Sequence, residues 1–296
     1  MSTHATRLIA AAAAALVLCV VAAPAFGHGR PPAFGPWSSA TPLTAVNLDG
    51  YSDGCPFSSD DGRRLYIASN RTDPGSQGGI DIWVSERPDE HSPWGTPVNL
   101  GPPVNSPAND FCPSPGRHGQ FMFVSNRDQG CGGADIYVTR FDERLGWAEP
   151  RNLGCDINSH LDEFGPVRRG LELYFSSNKS GNQEIYRSFA FGPWIGAPQL
   201  VTELSLDTAE DARPFVSVDG LEIVFDSTRQ GGPPDIWSST RRHVFAPWST
   251  PVNLGGAVNT PEAPETRASL SPDRSILYFG RFAGPQQDVY TSTRNR

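Results

Sequence analysis

Positive charge is scarce in this sequence. Its 296 residues carry 24 Lys plus Arg against 32 Asp plus Glu, a formal net charge of −8. That balance argues against nucleic acid and anionic membrane surfaces as partners. Beyond residue 25 the chain also lacks a hydrophobic run long enough to span a bilayer, and no segment there has a convincing amphipathic helical period. Zinc-ligand spacing, a Gly-x-Ser-x-Gly elbow and a phosphate-binding loop are all missing, so none of those chemistries has a sequence signature here. Among six histidines His160 stands close to acids, in HLDE. A single loop histidine is polar surface far more often than a metal ligand.

The one long apolar run is N-terminal. Leu8 to Ala23 follows Arg7 and ends at the small-residue site Ala23-Pro24-Ala25, the pattern of a secretory signal peptide. Residues 1–25 are therefore expected to be a leader, 26–33 a flexible mature N-terminus, and the protein secreted or periplasmic. Leu18 before Cys19 argues against a lipid anchor. Four cysteines follow the leader, Cys55, Cys112, Cys131 and Cys155; an even number in an oxidising compartment implies disulfides.

Everything after the leader is a repeat. Asp81-Ile82-Trp83, Asp135-Ile136-Tyr137, Glu184-Ile185-Tyr186, Asp235-Ile236-Trp237 and Asp288-Val289-Tyr290 recur at steps of 54, 49, 51 and 53 residues, a blade-like period. Each unit has four segments: a proline and turn (CPFSSDDG), an aromatic and β-branched run (LYIASNR, FMFVSNR), the DIW-type run after a Gly-rich loop, and a tryptophan-to-leucine stretch. Such composition and punctuation predict short antiparallel strands. The fifth unit stops at DVYTSTRNR without its fourth segment, whereas FGPWSSATPLTAVN at residues 34 to 47 is a fourth segment with no unit before it. Joining the two closes a ring, so the expected fold is an all-β, five-bladed β-propeller over residues 34–296, its last blade completed by the N-terminal strand. The longer spacing from Trp37 to Pro42 than from Trp94 to Pro97 predicts a bulge at that join. Tryptophans at repeat-wide positions are expected to pack between blades.

The combination of an SxDG-type turn, LYFSSNK, a Gly-rich loop, DIY and the W..PxNLG..VN segment resembles the WD-repeat-like β-propeller repeats of the TolB type. SNRTDPGSQGGIDIWVSER, SNRDQGCGGADIYVTR and STRQGGPPDIWSSTR carry the likeness best, and it covers essentially the whole mature chain. It implies a propeller that binds other proteins, envelope components or glycans. The Asp and Gly of SSDDG and SVDG are read as turn residues closing the first two strands.

Three residues before each first-strand proline stands a carboxylate: Asp53, Asp110, Glu163 and Asp211, with Glu265 where Ala268 replaces proline. These five acids are expected to ring the channel near one mouth, either as a repeated latch or as a site for a divalent cation or cationic ligand. One residue before the proline, strand alternation returns to the same face, and there the occupants differ: Cys55, Cys112, Gly165, Arg213 and Arg267. Positions that break the symmetry are the better functional candidates, so the ligand site is assigned to the five acids with Arg213 and Arg267. No catalytic residue and no cofactor is required. The expected role is a monomeric binding or scaffolding module for an envelope or extracellular protein or a polysaccharide. The alternative is a glycoside hydrolase, since Asp53, Asp110 and Glu163 resemble the acid trio on the first three inner strands of five-bladed glycosidases. A second ladder, Arg71, Arg127, Lys179 and Arg229 with Asp81, Asp135, Glu184 and Asp235, is expected to close the loops between second and third strands. Cys131 and Cys155 sit in loops of one blade that emerge on the same face, which favours their pairing and leaves Cys55 with Cys112 on adjacent inner strands.

Overall fold

The computed structural model describes residues 34–192 and 194–296. The leader, residues 1–25, and the segment 26–33 lie outside the described residues. The second segment of every repeat is apolar almost without interruption because it is covered on both faces by neighbouring blades. Arg64–Ser69, Gln120–Ser125, Glu172–Ser177, Glu222–Ser227 and the first half of Ile276–Ala283 are buried nearly throughout. Each pairs with a first strand on one side and a third strand on the other. The first strands are Asp53–Ser58, Asp110–Pro115, Glu163–Arg169, Asp211–Val216 and Glu265–Leu270; the third are Asp81–Glu86, Asp135–Asp142, Glu184–Phe191, Asp235–Thr240 and Gln286–Thr293.

Fourth strands are only two residues long: Val98–Asn99, Arg151–Asn152, Gln199–Leu200, Val252–Asn253 and, for the last blade, Thr41–Pro42. The five sheets stand around one axis as a five-bladed propeller, adjacent first strands touching in ring order from blade 1 round to blade 5 and back to blade 1. Closure is therefore made by the N-terminal strand. Thr41 pairs with Thr291 and Pro42 with Tyr290, and Gly35 N donates to Asn295 O at 2.8 Å. The expected bulge is not there. Trp37 to Leu43 is as long as Trp94 to Leu100, and Leu43 N bonds Val289 O as Leu100 N bonds Ile82 O. The proline has moved two places within an unchanged register.

Tryptophans pack between blades as expected. Trp94 of blade 1 meets Tyr278 of blade 5 edge-on, and Trp248 of blade 4 meets Tyr174 of blade 3. Arg87, Arg241 and Arg294 lie over the rings of Trp94, Trp248 and Trp37 at 4.0 to 4.3 Å. Trp194 departs from the rule at 58% exposure. The SxDG turns close as read: Ser217 Oγ and Leu221 N both donate to Asp219 Oδ1, and Ser271 and Ser275 repeat this at Asp273.

Candidate functional site

Every first strand carries the same irregularity. Pairing with the second strand shifts between residues 2 and 5, as between Gly54 and Phe57 or Ala212 and Phe215. Residue 3 is left-handed in all five blades, with φ of 49° at Cys55, 48° at Cys112, 58° at Gly165, 51° at Arg213 and 60° at Arg267. Bulges re-aim side chains, and this one separates residues that simple alternation would put on one face. Residue 1 is sealed inside its blade; residue 3 lines the channel.

The five acids are thus fully buried, each with partners of its own. Asp53 accepts from Arg71 and from Leu48 N at 2.8 Å. Asp110 accepts from Arg127 Nη2 at 2.6 Å and from Ser106 N and Oγ. Asp211 accepts from Arg229 and Leu206 N, and Glu265 from Arg281 Nε at 2.7 Å and from Thr260. The same guanidiniums also reach a loop carbonyl entering the blade: Val46, Val104, Leu204 or Val258. Glu163 differs, accepting from Ser177 Oγ and Ser159 N, with Lys179 seated over Tyr186 instead. Burial pushes the Glu265 carboxyl above its ordinary range despite its hydrogen bonds from Thr260 and its Arg281 partner.

The second ladder is corrected by this geometry. Arg71, Arg127 and Arg229 turn to the first-strand acids, since the second strand ends opposite them, and not to Asp81, Asp135 and Asp235. Those third-strand acids hold the Asn of the fourth strand instead: Asn99, Asn152 and Asn253. In blade 5, where Ala283 stands at the expected base position, Arg281 supplies the charge from two residues earlier.

Arg213 and Arg267 do not face the acids. Arg213 forms a paired contact with Asp226, whose Oδ1 also accepts Arg267 N at 2.9 Å; Arg267 Nη1 donates to Gln287 Oε1 at 3.0 Å and its Nε has no acceptor. Below them the channel is filled. Phe57 and Phe215, on non-adjacent blades, touch edge-on at 4.9 Å, and the buried Arg169 lies against both while reaching Asp60 at 3.3 Å.

Above this plug a cavity of about 720 Å³ opens on the face where the first strands begin. Its floor is apolar, made by Cys55, Ala68, Ile80, Phe111, Ala134 and Phe164. Its rim is polar: Ser52, Asn70, Asn109, Asn126, Asp162 and Gln287, with Arg267 the one member of the expected ligand set that reaches it. Asn70 and Asn126 spend their carbonyls on Ser52 N and Asn109 N. Phe111 and Phe164 were not singled out by the sequence, because alternation assigns residue 2 of a first strand away from the channel; the proline at residue 4 was the available signal, since a proline within a strand marks an edge or a bulge.

Cys131 and Cys155 are joined by a disulfide within blade 2. Between Cys55 and Cys112 there is no such bond. The two buried thiols meet with their Sγ atoms 2.6 Å apart. Among the described residues no cluster of three or more His, Cys, Asp or Glu is arranged to hold a metal ion, and no helix is long and apolar enough to cross a membrane.

No family model and no curated protein matches the chain. Among solved structures it is similar to the α-L-arabinofuranosidase PaAbf62A from Podospora anserina, crystallised with cellotriose, at 13% identity and TM-score 0.57, over 89% of this chain and 98% of that one. An endo-arabinase from Bacteroides thetaiotaomicron aligns at 14% identity and TM-score 0.52, covering 88% and 98%. TolB from Acinetobacter baumannii aligns at 14% identity and TM-score 0.48 over 80% of this chain, which spans about half of that protein, 53%. Likeness at such identities is likeness of fold.

Proposed function

We propose that this propeller is an exported binding module that holds an envelope or extracellular macromolecule at the mouth of its channel. The observation that carries the reading is the cavity of about 720 Å³, concave and apolar at its floor with amides, a carboxylate and a guanidinium at its rim. The Cys131–Cys155 bridge suits an oxidising compartment. A hydrolytic reading finds less support: Asp53, Asp110 and Glu163 are fully buried and hydrogen-bonded inside their blades, and none of them lines the cavity. Filling the cavity is the direct test. Immobilised protein is expected to retain a protein or polysaccharide from its source envelope without cleaving it, and Ile80→Trp should abolish retention while leaving the melting temperature within a few degrees. Release of reducing sugar from a polysaccharide panel, lost in Glu163→Gln, would replace this reading with the hydrolase.

A further inference from the structure

Cys55 and Cys112 take no part in the latches and sit in a buried apolar cluster with Ala68, Val124 and Ala134. They occupy residue 3 of the first two inner strands, where the left-handed backbone of both turns their side chains into the channel. An L-residue adopts that conformation only when its surroundings impose it, and the bulge common to all five blades does so here. The two sulfurs stand 2.6 Å apart, about half an ångström beyond a covalent S–S bond. Cys55 also forms part of the cavity floor, while Cys112 lines only the channel behind it. Gly165, next in the ring, contributes no side chain; the other two places hold Arg213 and Arg267. Guanidiniums beside a thiol favour the thiolate, the nucleophilic form. Burial pushes the Cys55 thiol well above its usual range. On Cys112 burial acts in the same direction but is outweighed by the hydrogen bond from Cys55 and by Arg267 and Arg213, which bring that thiol down to about 7.

We propose that Cys55 and Cys112 form a reversible dithiol–disulfide centre, oxidised by small hydroperoxides entering through the cavity and cross-linking blades 1 and 2 when oxidised. Cys112 first loses its proton to solvent; Cys55 then passes its own proton to the Cys112 thiolate, and the Cys55 thiolate so formed attacks one peroxide oxygen. The O–O bond breaks, and the departing oxygen takes its electron pair and a solvent proton to leave as an alcohol, or as water from hydrogen peroxide. Cys55 is then a sulfenic acid. The Cys112 sulfur attacks it, the S–O bond breaks, and the hydroxyl leaves as water with the Cys112 proton. Two thiols have lost two electrons and two hydrogens; one peroxide has gained them. The cross-link narrows the inner edge of the cavity whatever ligand the mouth holds.

The test uses the full mature chain with hydrogen peroxide as the probe. One equivalent should lower the thiol count from two to zero, and non-reduced peptide mapping should find Cys55 linked to Cys112 with a loss of two hydrogens. Dithiothreitol at neutral pH, without denaturant, should restore the Cys55 and Cys112 thiols, identified by peptide mapping apart from the more exposed Cys131–Cys155 bridge. The oxidation rate should rise with pH and level off above about 7, as thiolate forms, and Arg267→Gln should move that midpoint upward. Cys112→Ser, folded by circular dichroism, should oxidise at Cys55 about tenfold more slowly or slower still, because no thiolate remains to take the Cys55 proton, and dimedone should trap whatever sulfenic acid forms there. Two thiols still free after one equivalent, a sulfinic acid without the cross-link, or a bond that only denaturation lets dithiothreitol reduce would each overturn the proposal, and the wild-type mapping decides even if the variants do not fold.

Discussion

At the scale of single residues, the latch shows how a repeated charge is made safe in a core. A buried carboxylate is costly unless paired and hydrogen-bonded, and Asp53 has both Arg71 and a backbone N–H. The Arg71 side chain is 3% exposed and that of Asp53 is 0% exposed, so water cannot take over when one partner is removed. Arg71→Ala is therefore expected to cost about 3–5 kcal/mol in urea-induced unfolding, the range for a buried pair broken on one side. Blade 3 supplies the internal control. Glu163 is held by Ser177 and Ser159 rather than by an ion pair, so Lys179→Ala should cost about 1 kcal/mol or less. Equal losses in the two variants would mean that the ion pair is not what stabilises the latch. The acids were legible in the sequence because they keep register with the first-strand proline. Their partners were not: Arg71 is as close in sequence to Asp81 as the loop between them allows, and only the turn of its side chain back over the second strand assigns it to Asp53.

At the scale of the strand, each blade is tied to the loop that leaves it. Asn105 donates to Ile82 O and accepts Ile82 N, gripping both backbone groups of one third-strand residue, and Asn47, Asn158 and Asn259 repeat this on Val289, Ile136 and Ile236. Blade 3 has Ser205 in that place, with one bond of 3.2 Å to Ile185 N. Asn105→Ala leaves a buried N–H and C=O without partners and should cost about 2–3 kcal/mol. Ser205→Asn should work the other way and add about 1 kcal/mol, with the denaturation midpoint as the readout. A stabilising Asn105→Ala or a destabilising Ser205→Asn would show the clamp to be incidental. The asparagine is plain in the sequence as the last letter of PVNLGPPVN, but periodicity reports that a residue recurs and not which backbone groups it meets. The bulge of the inner strands escaped for a related reason: alternation assumes an unbroken ladder, and the left-handed residue 3 breaks it in all five blades. One residue of slip turns every later side chain, which is why the cavity floor was unforeseen while the strands that carry it were expected.

At the scale of the whole molecule, the ring is held by a short contact between distant parts of the chain. Its sequence trace was a fourth segment without a blade and a blade without a fourth segment, a mismatch of count that needs no side-chain geometry to read. The contact is more than the two paired residues. Ser292 Oγ donates to Ser38 O at 2.6 Å, Asn47 grips Val289, Val46 is fully buried, and Arg294 lies over Trp37. Removing residues 34–47 exposes the edge of blade 5 and the apolar surface around Val46, and the melting temperature should fall by about 10 °C or more. Deletion alone also shortens the chain, so the stronger experiment conserves composition. Gly35 N lies 2.8 Å from Asn295 O, close enough for a short linker from Arg296 to residue 34, and new ends can be opened at Gly50, an exposed left-handed turn residue with φ of 90°. That permuted chain, starting from residue 51, places all four strands of blade 5 consecutively and should melt within a few degrees of the parent. If it melts as low as the deletion, closure by the N-terminal strand does not account for the stability of the ring.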